Sequence, residues 1–195
     1  MYWYEEEVSA LALKKEKLTA SPKTLFYGSS SIRLWESLEQ DFIDYKPVNL
    51  GFGGSTLAAC VWFFDRIIAP YSPESIVFYA GDNDLGDGRT PEEVFIFFQQ
   101  LCIRVKEKFG SIPCYFISLK PSLKRWNINS NFVYANTLIS AEIKAKDTNW
   151  TFIDIYEKML GTDKTPDPKY FEADGLHLSK EGYALWKDTI LKALL

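Results

Sequence analysis

Strand-like and helix-like stretches alternate along the whole of this chain, and that alternation leaves few architectures open. A strand, a helix and then another strand is the repeating unit of a parallel sheet covered by helices. The strand-like stretches are Leu25-Phe26-Tyr27, Val48-Asn49-Leu50, Ile76 to Ala80, Cys114 to Leu119 and Thr151 to Ile155. Ile76 to Ala80 is apolar without interruption, the pattern of a strand buried on both faces. Residues from about Tyr2 to Leu18 predict a first helix, with Tyr4, Val8 and Leu11 on one face, acids at its start and lysines at its end, which suits the macrodipole. Ser55 or Thr56 is placed to cap a helix in which Leu57, Val61, Phe64 and Ile68 recur at helical spacing. Thr90-Pro91-Glu92-Glu93 reads as a capping box with proline at the first helical position. It opens a stripe of Val94, Phe97, Phe98, Leu101, Cys102 and Val105 that Gly110 ends. Further helices are expected from about Asn131 to Lys146 and after Ser179, the latter carrying Tyr183, Trp186 and Ile190. The expectation is an α/β fold with about five parallel strands between two helix layers. It forms one domain over residues 1–195, with residues 1–20 as a helix packed on it.

Composition excludes several classes of partner. The chain has 195 residues, 47% of them hydrophobic and 25% charged, which is globular and enough for a real core. Its net charge of -4 argues against a nucleic acid or an anionic membrane surface, either of which needs a basic patch. No uncharged apolar run approaches about 18 residues, so no membrane span is expected. The first residues hold Tyr4, Glu5, Glu6 and Glu7 instead of a basic segment and an apolar core, so no signal peptide is expected. Cys60, Cys102 and Cys114 are odd in number and widely spaced, which suits neither a disulfide framework nor a zinc site. Buried thiols in a reducing cytosol are the expectation, and with them a cytoplasmic location. Nothing in the sequence fixes the oligomeric state; a homodimer stays open beside the monomer.

In an open α/β sheet, ligands bind where the carboxyl ends of the strands meet the following loops. The first such junction is Gly28-Ser29-Ser30-Ser31-Ile32. A serine on a tight turn before a helix can expose its hydroxyl as a nucleophile, or it can simply cap the helix. The G-x-S-x-G elbow is absent, because Ile32 stands where its second glycine would be. The second junction, Gly51-Phe52-Gly53-Gly54-Ser55-Thr56, is not a dinucleotide fingerprint, since Thr56 occupies the place of the third glycine. Glycines here let the backbone approach a ligand and present a bare N–H, or they form a plain turn. The third, Gly81-Asp82-Asn83-Asp84, offers an asparagine amide as a neutral oxyanion donor, with an Asx-turn as the alternative. Asp82, Asp84 and Glu93 also fall at calcium-loop positions, but Gly86 and Asp87 break that pattern. Before the last helix comes Asp174-Gly175-Leu176-His177-Leu178, and His177 is the one histidine present. An aspartate three residues before a histidine can reach back to its ring nitrogen and fix the tautomer.

Taken together, Ser30, a glycine near position 54, Asn83, and Asp174 with His177 fall in that order at strand ends and before the final helix. This set resembles the SGNH (GDSL-like) hydrolases. The family's first block, G-D-S-L, corresponds to Gly28-Ser29-Ser30-Ser31, with Ser29 in place of aspartate and Ser31 in place of leucine. Its second block matches at Gly53-Gly54, its third, G-x-N-D, at Gly81 to Asp84, and its last, D-x-x-H, at Asp174 to His177. The short chain and glycine-rich second block look most like the platelet-activating-factor acetylhydrolase-like esterases. The resemblance implies a three-layer α/β/α flavodoxin-like sandwich, no cofactor and no metal. It picks Ser30 as nucleophile, with Ser31 the weaker candidate, His177 as general base, Asp174 as its orienting group, and Ser30, Gly54 and Asn83 as the oxyanion hole.

The activity so implied is hydrolysis of a small-molecule carboxylic ester through an acyl-serine, with a single ionisation in the histidine range governing its pH dependence. Loops 120–132 and 161–173 are expected to border the site, bringing Trp126, Tyr170 and Phe171 as substrate-binding aromatics. No insertion is long enough for a lid, which favours an open cleft and a short acyl chain of acetyl type. A carbohydrate O-acetylesterase, a thioesterase or lysophospholipase on the same site, and a non-catalytic binding module are the competing readings.

Overall fold

The computed structural model describes residues 1–146 and 149–194. Among these the strands β1 (Thr24–Gly28), β2 (Pro47–Gly51), β3 (Ser75–Tyr79), β4 (Cys114–Ile117) and β5 (Trp150–Ile153) form a five-stranded sheet in the spatial order β2-β1-β3-β4-β5. All its pairings are parallel. The helices are α1 (Glu5–Lys14), α2 (Ser30–Arg33), α3 (Leu38–Asp41), α4 (Leu57–Trp62), α5 (Phe64–Ile67), α6 (Asp82–Gly86), α7 (Pro91–Phe109), α8 (Asn129–Ala145) and α9 (Lys180–Leu194).

Side chains alternate across each strand, so one sheet builds two cores. Leu25, Tyr27, Ile76, Phe78 and Phe116 face a layer that includes Val8 of α1, Leu57 of α4, Val94 and Phe98 of α7 and Ile139 of α8. Phe26, Val77, Tyr79, Ile117 and Ile153 face Ile32, Leu38 of α3, and Trp186 and Ile190 of α9. The result is a three-layer α/β/α sandwich with the flavodoxin-like strand order. The chain leaves β1 for β2 at one edge and then crosses back to β3 on the other side of β1. That reversal is the switch point at whose strand ends open α/β sheets generally bind their ligands.

Local chemistry explains the boundaries. Thr90 Oγ1 accepts from the Glu93 N–H while the Glu93 carboxylate accepts from the Thr90 N–H, completing the capping box. Thr56, and not Ser55, caps α4, accepting from the Ala59 N–H at 3.0 Å. Ser179 Oγ accepts from the Gly182 N–H at 3.1 Å at the start of α9. Two expectations are corrected. The stripe Leu57 to Ile68 is not one helix: Phe63 leaves helical geometry at φ -91° and ψ 7° and separates α4 from α5. The first helix is α-helical only from Glu5 to Lys14, with a 3-10 turn at each end. Among the described residues no helix is long and apolar enough to cross a membrane. The three cysteines are free, Cys60 and Cys114 buried.

Candidate active site

The first junction turns sharply because Gly28 permits it. Its φ is +149°, and a Cβ there would sit 1.8 Å from the Tyr79 carbonyl oxygen of the neighbouring strand. The Ser29 N–H donates to that same oxygen at 2.9 Å, and α2 starts at Ser30. The capping alternative fails: Ser29 is the residue before α2, yet its side chain makes no capping bond, and its hydroxyl is buried without a partner. Ser31 is 2% exposed and Ser29 wholly buried. Ser30 is partly exposed, and its hydroxyl has no hydrogen-bond partner among the described residues. Of the three serines, Ser30 is the one a substrate can reach.

Gly54 lies on the β2–α4 turn, exposed, with φ +64° and open space where a Cβ would be. Its N–H donates to nothing among the described residues, and the N–H of Ser30, first in its helix, has no intrahelical acceptor. Asn83, in the first turn of α6, adds a side-chain amide. One Nδ2 hydrogen goes to the Ser55 carbonyl at 3.0 Å. Its Oδ1 accepts from an Arg125 guanidinium N–H at 3.0 Å. Because guanidinium has only donors, Arg125 fixes which end of the amide carries the NH2 and leaves its second hydrogen for a ligand. Arg125 also donates to the Asp82 carbonyl at 2.9 Å and crosses Gly86, where a Cβ would meet the guanidinium at 2.6 Å.

The acids beside Asn83 are structural anchors. Asp84, fully buried, accepts from the Leu57 N–H at 2.6 Å and pairs with Arg89 at 3.2 Å, tying the third junction to the start of α4. Asp82 lies 3.5 Å from Lys120 Nζ and 3.6 Å from Arg125. Lys120 is 1% exposed. Burial pushes its ammonium below the usual lysine range, and the Asp82 carboxylate pulls it back. Asp82 and Asp84 lie in the short helix α6 and the Glu93 carboxylate is taken up by the Thr90 N–H of the capping box.

The last junction brings Asp174 and His177 together. Asp174 Oδ1 accepts from the backbone N–H groups of Leu176 and His177, each at 2.9 Å, and Oδ2 lies 2.5 Å from His177 Nδ1. Burial would raise the Asp174 carboxyl, but those N–H groups and the imidazole outweigh it and hold it at about 2. The contacts therefore stabilise the turn above the ordinary carboxylate range, and that support is lost as pH falls through about 2. An ionised carboxylate only accepts, so Nδ1 carries a proton, and in the neutral imidazole Nε2 is then the nitrogen left to accept one. The Glu172 N–H donates to the His177 carbonyl at 2.9 Å, and Gly175, at φ +65°, passes under Leu123.

Distant contacts bring this turn toward α2. Tyr183 of α9 donates its hydroxyl to the Ser31 carbonyl at 3.1 Å. The Tyr183 and Trp186 rings pack on Trp35 at 5.0 and 6.2 Å. No hydrogen bond joins Ser30 to His177 among the described residues. In unliganded sites such bonds are often long and tighten with substrate. His177 also borders an open cleft of about 580 Å³ lined by Leu34, Glu36, Glu172 and Tyr183.

The aromatics divide. Trp126 is partly exposed beside Arg125. Tyr170 is half-buried under Lys169, 4.7 Å from its ring centre. Phe171 is a correction: at 6% exposure it packs in the core with Leu178 and Trp186, so it supports the histidine turn from below. Sequence reasoning placed Arg125 only in a loop beside the site, level with Lys124, and missed Lys120 and Tyr4, whose hydroxyl donates to the Gly54 carbonyl at 2.9 Å.

Residues 20–185 match the family model described as GDSL-like Lipase/Acylhydrolase family. This chain belongs to that family. Among curated proteins none matches the chain significantly. Solved structures of similar fold include a protein assigned as a platelet activating factor from Streptococcus pneumonia, 20% identical with a TM-score of 0.87 over 100% of this chain and 95% of that one. A GDSL-like lipase from Bacteroides thetaiotaomicron is 23% identical with a TM-score of 0.78 over 95% and 96%. A protein assigned as an acylhydrolase from Bacteroides fragilis is 21% identical with a TM-score of 0.78 over 92% of each chain. The GDSL-like family fits what the junctions offer: an uncapped hydroxyl, an oriented imidazole and unpaired N–H donors.

Proposed function

We propose that this protein is a serine esterase that hydrolyses short-chain, acetyl-type carboxylic esters of small molecules. Ser30 attacks the ester carbonyl, and His177 Nε2 takes its proton and later returns one to the leaving alcohol. Asp174 holds the imidazole in the tautomer this needs and stabilises its charged form. The N–H groups of Ser30 and Gly54 and the free amide hydrogen of Asn83 receive the negative charge of the tetrahedral intermediate. Each such donor contributes about 3 kcal/mol of transition-state stabilisation. Water then releases the acid from the acyl-serine.

The observation that carries this reading is the Asp174–His177 pair at 2.5 Å, just before a helix, α9, that is hydrogen-bonded to α2 through Tyr183 and Ser31, with the Ser30 hydroxyl accessible and unbonded at the start of α2. The short loops after the strands, with no insertion long enough for a lid, support a small substrate and a short acyl group. Three free cysteines fit a reducing compartment, and we place the protein in the cytoplasm on that ground.

The test is a panel of p-nitrophenyl esters of rising acyl length, with acetylated sugars and acetylated lipids as paired natural substrates. The parent is expected to prefer the acetyl ester. Ser30→Ala and His177→Ala should each lose at least a thousandfold in kcat while keeping the parental circular dichroism. Full activity in either variant would refute the assignment, and failure of a serine-reactive phosphonate to label the parent would favour a binding module instead.

A further inference from the structure

The family match begins at residue 20, yet α1 and the turn before it reach the centre of the proposed site. Tyr4, 6% exposed, donates its hydroxyl to the Gly54 carbonyl at 2.9 Å. Its ring is set edge-on against Phe52 and Phe63, at 5.4 and 6.2 Å. One turn further along, the Glu7 carboxylate accepts from the Gly53 N–H at 2.8 Å. Glu7 also lies 3.7 Å from Arg33 at the end of α2. A Cβ on Gly53 would meet the Glu7 carboxylate at 2.9 Å and Arg33 at 3.2 Å. Val8, wholly buried, fixes α1 to the sheet.

The geometry of these two bonds is specific. The Gly54 N–H belongs to the peptide unit between Gly53 and Gly54. Glu7 holds the unit before it, through the Gly53 N–H, and Tyr4 holds the unit after it, through the Gly54 carbonyl. Two adjacent glycines otherwise leave that middle unit free to rotate, because neither residue has a Cβ to restrict φ and ψ. An oxyanion donor stabilises a transition state only if it is already aimed before charge develops.

We propose that the N-terminal helix is a clamp that preorganises the oxyanion hole, with Tyr4 and Glu7 as positioning residues for the Gly54 N–H. This rests on the esterase reading above. Tyr4→Phe removes one hydroxyl and Glu7→Ala one acceptor. Glu7→Gln keeps a carbonyl oxygen in place. Because the clamp acts on the transition state, Tyr4→Phe and Glu7→Ala should each lower kcat for p-nitrophenyl acetate about tenfold with KM within twofold. Phosphonate labelling should slow in parallel, and Glu7→Gln should recover most of the rate. The Gly53 amide, followed by hydrogen exchange, should exchange at least tenfold faster in Glu7→Ala, and the Gly54 region faster in Tyr4→Phe.

Parental kcat in both variants would overturn the proposal, as would a loss that appears equally in KM and in the melting temperature. Ser30→Ala, run alongside, separates the two claims. If it retains parental activity the esterase reading falls, and the clamp is then decided by glycine amide exchange alone, with unchanged exchange in both variants refuting it.

Discussion

An asparagine amide has two nearly isosteric orientations, and only one of them turns NH2 toward a developing negative charge. At Asn83 the choice is made by a residue distant in sequence. Arg125 occupies the Oδ1 side at 3.0 Å, where an amide hydrogen would find another donor. Arg125→Met removes this constraint and leaves Asp82 paired with Lys120 alone. The amide should then spend part of its time turned away, so kcat for an acetyl ester should fall about tenfold, less than the hundredfold or more expected when a donor is deleted outright. KM should hardly change. Steady-state kinetics with p-nitrophenyl acetate checks this, and an unaltered kcat would remove Arg125 from any part in orienting Asn83. The same pair marks the limit of sequence reading. Asn83 is legible because it sits in Gly81-Asp82-Asn83-Asp84 directly after a strand. A lone arginine in a loop has no period, spacing or strand end to single it out, and the sequence offers Lys124 and Arg125 as equals. Only the packing of that loop across Gly86 distinguishes them.

At the scale of elements, two glycines that look alike in sequence have opposite requirements. Gly28 is demanded by space: a methyl group there would lie 1.8 Å from the Tyr79 carbonyl of the adjacent strand. Gly54 is demanded only by backbone conformation, since at φ +64° an added Cβ meets nothing within 4 Å. Gly28→Ala should therefore prevent stable folding, because β1 and β3 cannot part without breaking the centre of the sheet. Gly54→Ala should fold and lose about 1–2 kcal/mol, the usual cost of a left-handed non-glycine residue. Urea unfolding followed by circular dichroism measures both. Equal destabilisation would mean that the close approach at Gly28 is relieved by a small local shift. The five strands were readable to within a few residues because continuous apolar runs bounded by turn formers have little alternative. The break at Phe63 was not. Leu57, Val61, Phe64 and Ile68 keep helical spacing across it, so one periodic stripe covers two short helices. The register of the break depends on packing against Tyr4 and Phe52, which no local pattern records.

At the scale of the whole molecule, the proposed nucleophile and base come from opposite ends of the chain, and the second core joins the elements that carry them. The contact between Tyr183 and Ser31 joins residues 152 apart in sequence. Trp186 lies under it, wholly buried, with its ring 4.7 Å from that of Tyr79 on β3 and its indole N–H on Met159 Sδ at 3.4 Å. It thus touches the central strand, the segment just after α2 through Trp35, and the segment after β5 at once. Trp186 and Tyr183 were readable as the apolar face of a last helix, but the partner of that face was not, because the pairing is non-local. Trp186→Ala removes the largest side chain from this junction, and the surrounding rings cannot collapse onto the space without shifting the strand. The expected loss is about 3–5 kcal/mol, a large part of the 5–15 kcal/mol typical of a whole domain. Since α9 carries the histidine turn at its start, esterase activity should decline at a lower urea concentration than in the parent, in step with unfolding and not before it. Activity lost well ahead of the unfolding transition would mean instead that α9 detaches on its own, and that the last helix is a separately cooperative unit from the sheet it covers.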